Sequence, residues 1–368
     1  MAVLLHISAN KYPPVSEHHF TKKNWVELAI GFEHYHVFAR AKNNRFNTST
    51  EGNITLHLIP KIINRSAIFV FSSFYLLFII KKYKITHLLA QSSIHGGVAA
   101  AVASQIFKIP LMTEIHGEEY FRFLKKDSLK NKALAKIIDF TFKRSAKIRS
   151  LNRLMTAKLN TAGYSQNIVE IPNRVNLSVF TRKKENFEIG NMVKITSVGR
   201  FVKEKNYLQL ITNLHQANIN FHLTLIGGGL LKPGYMEYIA TNGLQDSVTL
   251  IDWVDQRNLI DTIIASDIYI QYSISEGMPR TIVEAMALQM PIITTNVGSI
   301  LGVIKDMNNG LVLSDFSVNE LSAAISWLKN NASGAVIAKN AFNDVKEKYE
   351  WNKVFEIYRN ELLNMHCS

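Results

Sequence analysis

The sequence predicts an α/β protein built on mostly parallel sheets and divided into two domains, and three observations carry that prediction. Short apolar runs of strand type alternate with helical stretches along most of the chain, the pattern left by strand–helix–strand crossovers. The clearest crossover is DIYIQYSISEGMPRTIVEAMALQMPIITTNVGS, residues 267–299, in which an apolar run, a polar turn, a helically spaced apolar set and a second β-branched run follow one another. The chain's 368 residues also exceed one ordinary core, so two domains are expected.

In that crossover Pro279 is expected at the first helical position, where its fixed φ suits the turn and its missing N–H costs nothing. The helix should begin near Arg280, bury Ile282, Val283, Met286, Ala287 and Met290, and stop at Pro291; residues 292–295 form the second strand. Ligands of parallel sheets bind at the carboxyl edge, where the peptide N–H groups of a helix start attract anions. Glu276 falls on that edge, and Glu284, eight residues on, lies about a turn into the helix. Two carboxylates repel a phosphate, so their natural partners are hydroxyl groups.

Taken from the start, residues 2–8 read as a strand and 9–19 as a polar loop. Residues 67–80, AIFVFSSFYLLFII, are a 14-residue run without charge. A spanning helix needs about 20 apolar residues, so a buried core helix is expected here, with a monotopic membrane contact as the other reading. A strand at 85–90, an alanine-rich, tightly packed helix at 96–107 and a strand at 111–116 follow, the last ending in His116-Gly117. That histidine either caps the strand or faces a ligand. Residues 121–149 read as helical and carry ten basic residues interleaved with aromatic and aliphatic ones. Such a stretch is a solvated helix face or a surface for anionic lipid, where each basic group is worth about 1 kcal/mol.

Composition narrows the classes. The apolar fraction of 47% and charged fraction of 19% are globular, and the single cysteine, Cys367, excludes a disulfide framework and fits a reducing compartment. No basic leader precedes the first apolar run, so a cytoplasmic location is expected. Residues 1–170 carry 24 Lys and Arg against 10 Asp and Glu, the remainder 18 against 19, so the whole net charge of +13 belongs to the first half. No zinc spacing, RNA-binding motif or aromatic platform accompanies it, and no nucleic-acid partner is expected.

In the second half, EIPNRVNLSVF joins the domains, and a strand at 193–198 runs into GRFVKEKN. Arg200 offers a planar fork for phosphate oxygens and Lys205 a compact point charge; the alternative is a pair of loop surface charges. A strand at 221–226 ends in Gly227-Gly228-Gly229, which admits close backbone approach, and a strand at 248–254 contains Trp253, a ligand-facing ring or a core residue. An Asn309-Gly310 turn precedes the last strand, and residues 317–363 read as helices.

The Glu-x7-Glu spacing within SEGMPRTIVEAMALQMPIITTNVGS, the GRFVKEKN loop and the EIPNRVNLSVF linker together resemble retaining glycosyltransferases of the GT-B fold, family 4. The resemblance is close from about Ile171 to Leu313 and patchy before it. It implies two facing Rossmann-like, doubly wound domains with an interdomain cleft: residues 1–171 for the acceptor, 172–349 for the donor, and a terminal helix, 350–368, packing back on the first. By position, Glu276 would contact hydroxyls of the donor sugar and Glu284 the ribose, while Arg200 and Lys205 would hold the diphosphate. Gly277, Met278, Pro279, Arg280, Thr281, Gly227 and Trp253 would complete the donor surface, and His116 would lie near the reacting sugar. Residues 9–19 lack the family's glycine pair, so no glycine role is carried there. In the linker Arg174 replaces a glycine, at a place where φ > 0 would be costly.

What the resemblance implies is a hexosyltransferase that moves a sugar from a nucleoside diphosphate to an acceptor hydroxyl with retention, with no cofactor beyond the donor and no obligatory metal, since Arg200 and Lys205 supply the positive charge. From the basic half, the expected acceptor is a lipid-linked saccharide or lipopolysaccharide in cell-surface polysaccharide assembly, met at an anionic membrane to which the protein is peripheral. Two other classes fit parts of the pattern. A nucleotide-sugar epimerase of the same fold would isomerise the donor alone, and a non-catalytic membrane-associated partner protein would bind no sugar nucleotide. A nicotinamide dehydrogenase would need a glycine fingerprint after the first strand, which residues 8–19 lack.

Overall fold

The computed structural model describes residues 2–17, 19, 21–60, 73–117, 120–121, 123, 128–165, 167–330 and 333–366. The chain divides into two compact units, Met1–Ile171 with Phe355–Ser368, and Pro172–Val354. Both are Rossmann-like α/β units.

The first unit comprises β1 (Val3–Tyr12), α1 (Lys22–Ala29), β2 (His34–Ala41), β3 (Asn47–Glu51), β4 (Ile54–Ile59), α2 (Ser73–Lys82), β5 (His87–Ala90), α3 (Gly97–Phe107), β6 (Leu111–Glu114), α4 (Leu129–Lys143), β7 (Lys147–Ser150), α5 (Arg153–Thr161) and β8 (Ile168–Glu170). The sheet order is β3-β4-β2-β1-β5-β6-β7-β8, parallel except for the β3/β4 hairpin. The first strand outruns its expected end at Ser8. After an irregularity between Ile7 and Lys11 the pairing with β2 resumes, Lys11 opposite Arg40 and Tyr12 opposite Ala41.

The charge-free run is core on one side only. Residues 67–72 lie outside the described residues; from there α2 buries Leu76, Ile79 and Ile80 and leaves Phe74 and Phe78 exposed. The alanine-rich helix is tightly packed, as expected: a Cβ on Gly97 would lie 2.5 Å from the Ser92 carbonyl oxygen and 2.9 Å from Thr141 Cγ2 of α4.

The helix expected over 121–149 needs correction. It ends at Lys143, and Lys147–Ser150 is a strand inside the sheet. Burial is the reason. Arg149 is a core residue whose Nε donates to the Ile171 carbonyl at 2.9 Å and whose Nη1 donates to buried Glu114. Lys147 is ion-paired with Glu361. Arg122, Lys125 and Lys126 lie outside the described residues.

The second unit comprises β9 (Val193–Val198), α6 (Tyr207–Gln216), β10 (Phe221–Ile226), α7 (Lys232–Thr241), β11 (Val248–Ile251), α8 (Gln256–Ile264), β12 (Ile268–Gln271), α9 (Arg280–Ala287), β13 (Ile292–Thr295), β14 (Leu311–Leu313), α10 (Val318–Asn330) and α11 (Ser333–Asp344), and the last helix is α12 (Trp351–Leu363). Its sheet is parallel, in the order β11-β10-β9-β12-β13-β14. Strands are added first to one side of β9 and then to the other, so the winding reverses between β9 and β12. In doubly wound sheets the crevice outside the carboxyl ends at such a reversal is where ligands bind. Ile195, Leu210, Leu223 and Ile270, all fully buried, tie the sheet to its helices.

Two details of the central crossover differ from expectation. Pro279 takes the cap position, with extended ψ, and Arg280 is the first helical residue. The helix stops before Pro291, because Gln289 adopts φ +54°. The strand expected over 248–254 stops at Ile251, which leaves Trp253 in the loop. Arg174 keeps a negative φ and lays its guanidinium over the Trp351 ring, 5.5 Å from the centroid.

From Phe355 onward the C-terminal helix belongs to the first unit. There the Tyr358 hydroxyl donates to Glu114, Glu361 accepts from Lys147, and Arg359 donates to the Glu27 carbonyl at 3.1 Å. Among the described residues no helix is long and apolar enough to cross a membrane.

Candidate functional site

Three loops of the second unit meet at the carboxyl edge of its sheet, after β9, β10 and β12. The first two are packed backbone on backbone. Gly199 N–H donates to the Ile226 carbonyl and Phe201 N–H to the Gly228 carbonyl, at 2.9 and 2.8 Å. A Cβ on Gly227, at φ +150°, would lie 1.9 Å from the Gly199 carbonyl oxygen. The glycine at 227 is therefore demanded by its neighbouring loop, before any ligand is considered.

The loop after β9 makes one 3-10 turn over Lys203–Lys205, ended by Asn206 at φ +55°. This turn folds the Lys205 stem back over Gly199, where a Cβ would meet Cε at 2.9 Å. The turn is also tied across the reversal point: Ile274 N–H donates to the Glu204 carbonyl at 2.9 Å.

Lys205 and Glu276 consequently meet. Glu276 Oε1 accepts from Lys205 Nζ at 2.7 Å, Ser273 Oγ at 2.7 Å and Gln271 Nε2 at 2.9 Å. Its backbone is held by the next loop, for Ser299 N–H donates to the Glu276 carbonyl at 3.3 Å, and Gly298 at φ +61° leaves room for that carbonyl. Among the described residues Oε2 of Glu276 has no partner. Arg200 is exposed, and no described carboxylate pairs with it.

Around this pair the other expected residues sort themselves. Gly277, Met278 and Pro279 are buried and Arg280 is exposed at the start of α9. Met278 is anchored, its carbonyl accepting from Asn173 Nδ2 at 2.6 Å and its sulfur from Asn173 N–H at 3.2 Å, so its side chain is packing. Thr281 Oγ1 donates to Gln271 Oε1 at 3.3 Å. Glu284 is half-buried; burial pushes its carboxyl up, with Arg280 acting in the opposite direction. Trp253 is 59% exposed and stands over the glycine loop, its Nε1 3.4 Å from where a Gly228 Cβ would be. The ring is therefore not a core residue.

His116 belongs to the first unit. It is exposed just past β6, and its Nε2 lies 3.1 Å from Glu114 Oε2. Burial pushes the Glu114 carboxyl up, but Arg149, with His116, outweighs it and holds the group well below the usual carboxylate range. A hollow of about 600 Å³ in the second unit is lined by residues 181–186 and Ile264 and shares no residue with the site above.

Sequence reasoning missed Gln271, Ser273 and Asn173. Gln271 did leave a signal: it is the lone amide in the run Ile268–Gln271, where its strand neighbours are apolar or aromatic.

Residues 178–344 match the family model described as glycosyl transferases group 1. Protein CapJ of Staphylococcus aureus is 28% identical over 211 residues, 56% of this chain and 54% of that protein. The putative teichuronic acid biosynthesis glycosyltransferase TuaC of Bacillus subtilis is 24% identical over 253 residues, 64% of this chain and 59% of that protein. The chain thus spans little more than half the length of these curated relatives. The crystal structure of Anabaena Alr3699/HepE in complex with UDP and glucose superposes with a TM-score of 0.76 at 15% identity, covering 98% of this chain and 99% of that one. The chain therefore has the GT-B fold, and its match to the glycosyl transferases group 1 model falls within the second unit.

Proposed function

We propose that this chain is a retaining glycosyltransferase of hexosyltransferase type that takes its sugar from a nucleoside diphosphate. The observation that carries the reading is the meeting of Lys205 and Glu276 where the second unit's sheet reverses, at 2.7 Å, in loops that also present Arg200. A cation pair beside an acid with one uncommitted oxygen suits a ligand with a diphosphate at one end and hydroxyls at the other. In this reading Glu276 accepts from the sugar hydroxyls and Glu284 from the ribose. The first N–H groups of α9, reached through Gly277, Met278, Pro279, Arg280 and Thr281, turn toward the phosphates. Trp253 offers its exposed face to the base beside the Gly227–Gly229 loop.

The chemistry follows from charge. As the anomeric carbon–oxygen bond breaks, its electron pair passes to the diphosphate, and Arg200 and Lys205 stabilise that developing charge more than the ground state. The acceptor hydroxyl attacks the face that the diphosphate leaves, and its proton passes to a diphosphate oxygen, so configuration is retained and no protein base is required. His116 is assigned to the acceptor side. No obligatory metal is proposed, because the two basic side chains supply the charge. The acceptor proposed is a lipid-linked saccharide or lipopolysaccharide of cell-surface polysaccharide assembly, met by a peripheral protein on the cytoplasmic face of the membrane. The basic first unit and the description of the TuaC relative support that choice.

The test is a panel of UDP-, GDP- and ADP-sugars with the full chain, followed by donor consumption and thermal protection in the presence of chelator. One donor should be consumed, and Lys205→Ala and Glu276→Gln should each lower kcat/KM by about a hundredfold or more. A chain that binds no sugar nucleotide sinks the reading. Activity lost to chelation and restored by a divalent ion overturns its metal-free part.

A further inference from the structure

Gln271 is 1% exposed at the carboxyl end of β12, an interior strand of a parallel sheet. Apolar side chains are the rule in such strands, and a buried amide is costly unless every polar atom is bonded. Here every one is. Its Oε1 accepts from the Tyr269 hydroxyl at 3.2 Å and from Thr281 Oγ1 at 3.3 Å. Its Nε2 donates to Ser273 Oγ at 2.7 Å and to Glu276 Oε1 at 2.9 Å. The orientation of the amide is settled by chemistry, since only its NH2 end can face a carboxylate.

The arrangement is directional. Two hydroxyls, one from β12 and one from α9, fix the carbonyl end, and the fixed NH2 end then reaches the acid, both directly and through Ser273. Together with Lys205 these donors commit Oε1 of Glu276 to the protein and leave Oε2 without a partner among the described residues. A leucine of similar size would fill the same space without the polar burden, so the amide is explained by what it holds.

Resting on the glycosyltransferase reading, we infer that Gln271 is a positioning residue: it holds Glu276 so that one carboxylate oxygen is presented to the donor's sugar, and so separates binding of the whole donor from binding of its nucleoside diphosphate. Gln271 itself touches no substrate.

The experiment compares wild type with Gln271→Leu by calorimetry, using the sugar nucleotide that wild type binds in the panel and the corresponding nucleoside diphosphate. Affinity for the diphosphate should stay within about twofold, because that ligand never meets Glu276, while affinity for the sugar nucleotide should fall about tenfold, the effect of one charge-assisted hydrogen bond. A purely structural role moves both affinities together or neither, and an unchanged ratio overturns the inference while leaving sugar transfer intact. If wild type binds no sugar nucleotide, it is the function reading that fails, and this inference with it. Should Gln271→Leu not fold, Gln271→Glu decides. A second carboxyl beside the first makes the pair harder to ionise, so the acid limb of the kcat/KM profile should move to higher pH, and an unmoved limb is the refuting result.

Discussion

At the scale of the residue, Glu284 shows what the proposed site costs. Burial in α9 pushes its carboxyl up and Arg280 only partly offsets this. The native state thus holds that proton more tightly than the unfolded chain, and the stability Glu284 lends is full below the ordinary carboxyl pKa of 4.5 and is lost as pH rises through its folded value. Glu284→Gln should therefore raise Tm at pH 7 to 8, give no gain near pH 4, and weaken binding of the nucleoside diphosphate; a lower Tm at pH 7 would mean that the carboxylate has a favourable partner. The charges on which the proposed site rests, at Arg200, Lys205, Glu276 and Glu284, were legible in the sequence because charge belongs to residue type. Their mutual geometry was not. That Lys205 lies against Glu276 depends on the 3-10 turn and on Gly199, and the setting of the Gln271 amide depends on hydroxyls from its own strand and from α9.

At the scale of the element, the basic segment after residue 120 departs from the single helix its pattern predicts, and for a definite reason. Apolar and basic residues alternate through it in a way that fits a helix face, yet Ile148, Arg149 and Ser150 are buried and the run pairs with β6 on one side and β8 on the other, so residues 147–150 are strand β7. A sheet interior that can pair Arg149 with Glu114 overrides the helical reading. What remains outside is better defined. Helices α2 and α3 contain no acid, and α2, α3 and α4 leave Phe74, Phe78, Ile106 and Leu129 exposed, with Phe74 at 85% and Leu129 at 88%. On the same helices Lys81, Lys82, Lys130, Lys132 and Lys136 carry positive charge. Apolar tips among lysines are the composition of a surface that meets anionic lipid. Vesicles containing phosphatidylserine should sediment the protein at low salt and release it at high salt, and the triple change Phe74→Ser, Phe78→Ser, Leu129→Ser should weaken the low-salt binding severalfold. Equal sedimentation with neutral and anionic vesicles, or with none, counts against the membrane reading.

At the scale of the whole molecule, buried titratable groups set a pH limit on the first unit. Burial lowers His6, His36 and His57 from 6.5 to about 4, and for His57 the neighbours His36 and Lys82 add to it. His36 Nδ1 and His57 Nε2 lie 3.1 Å apart across β2 and β4, so the two titrate as a pair. These rings are neutral when folded and free to charge when unfolded. Their stabilising contribution is therefore present above pH 6.5 and is lost as pH falls from there toward about 4. In that window each imidazole should add about 1.4 kcal/mol per pH unit to the slope of stability against pH. Urea midpoints measured from pH 7 to 4 should show the steep fall, and His36→Phe with His57→Leu should flatten it; an unchanged slope would mean that the pair is not the limiting group.

By itself the sequence determined the alternation of strands and helices, the helix beginning at Arg280, and the acidic and basic residue types on which the proposed site rests, because periodicity, turn chemistry and side-chain charge are local properties. Only the tertiary structure decided which loops share an edge, that Trp253 stands in the open, that Arg149 is core, and that Glu276 is held at one oxygen by Gln271, Ser273 and Lys205. Those facts depend on strand order and on backbone contacts between residues far apart in the chain, such as Gly227 against Gly199 and Gly298 against Glu276, and no local pattern encodes them.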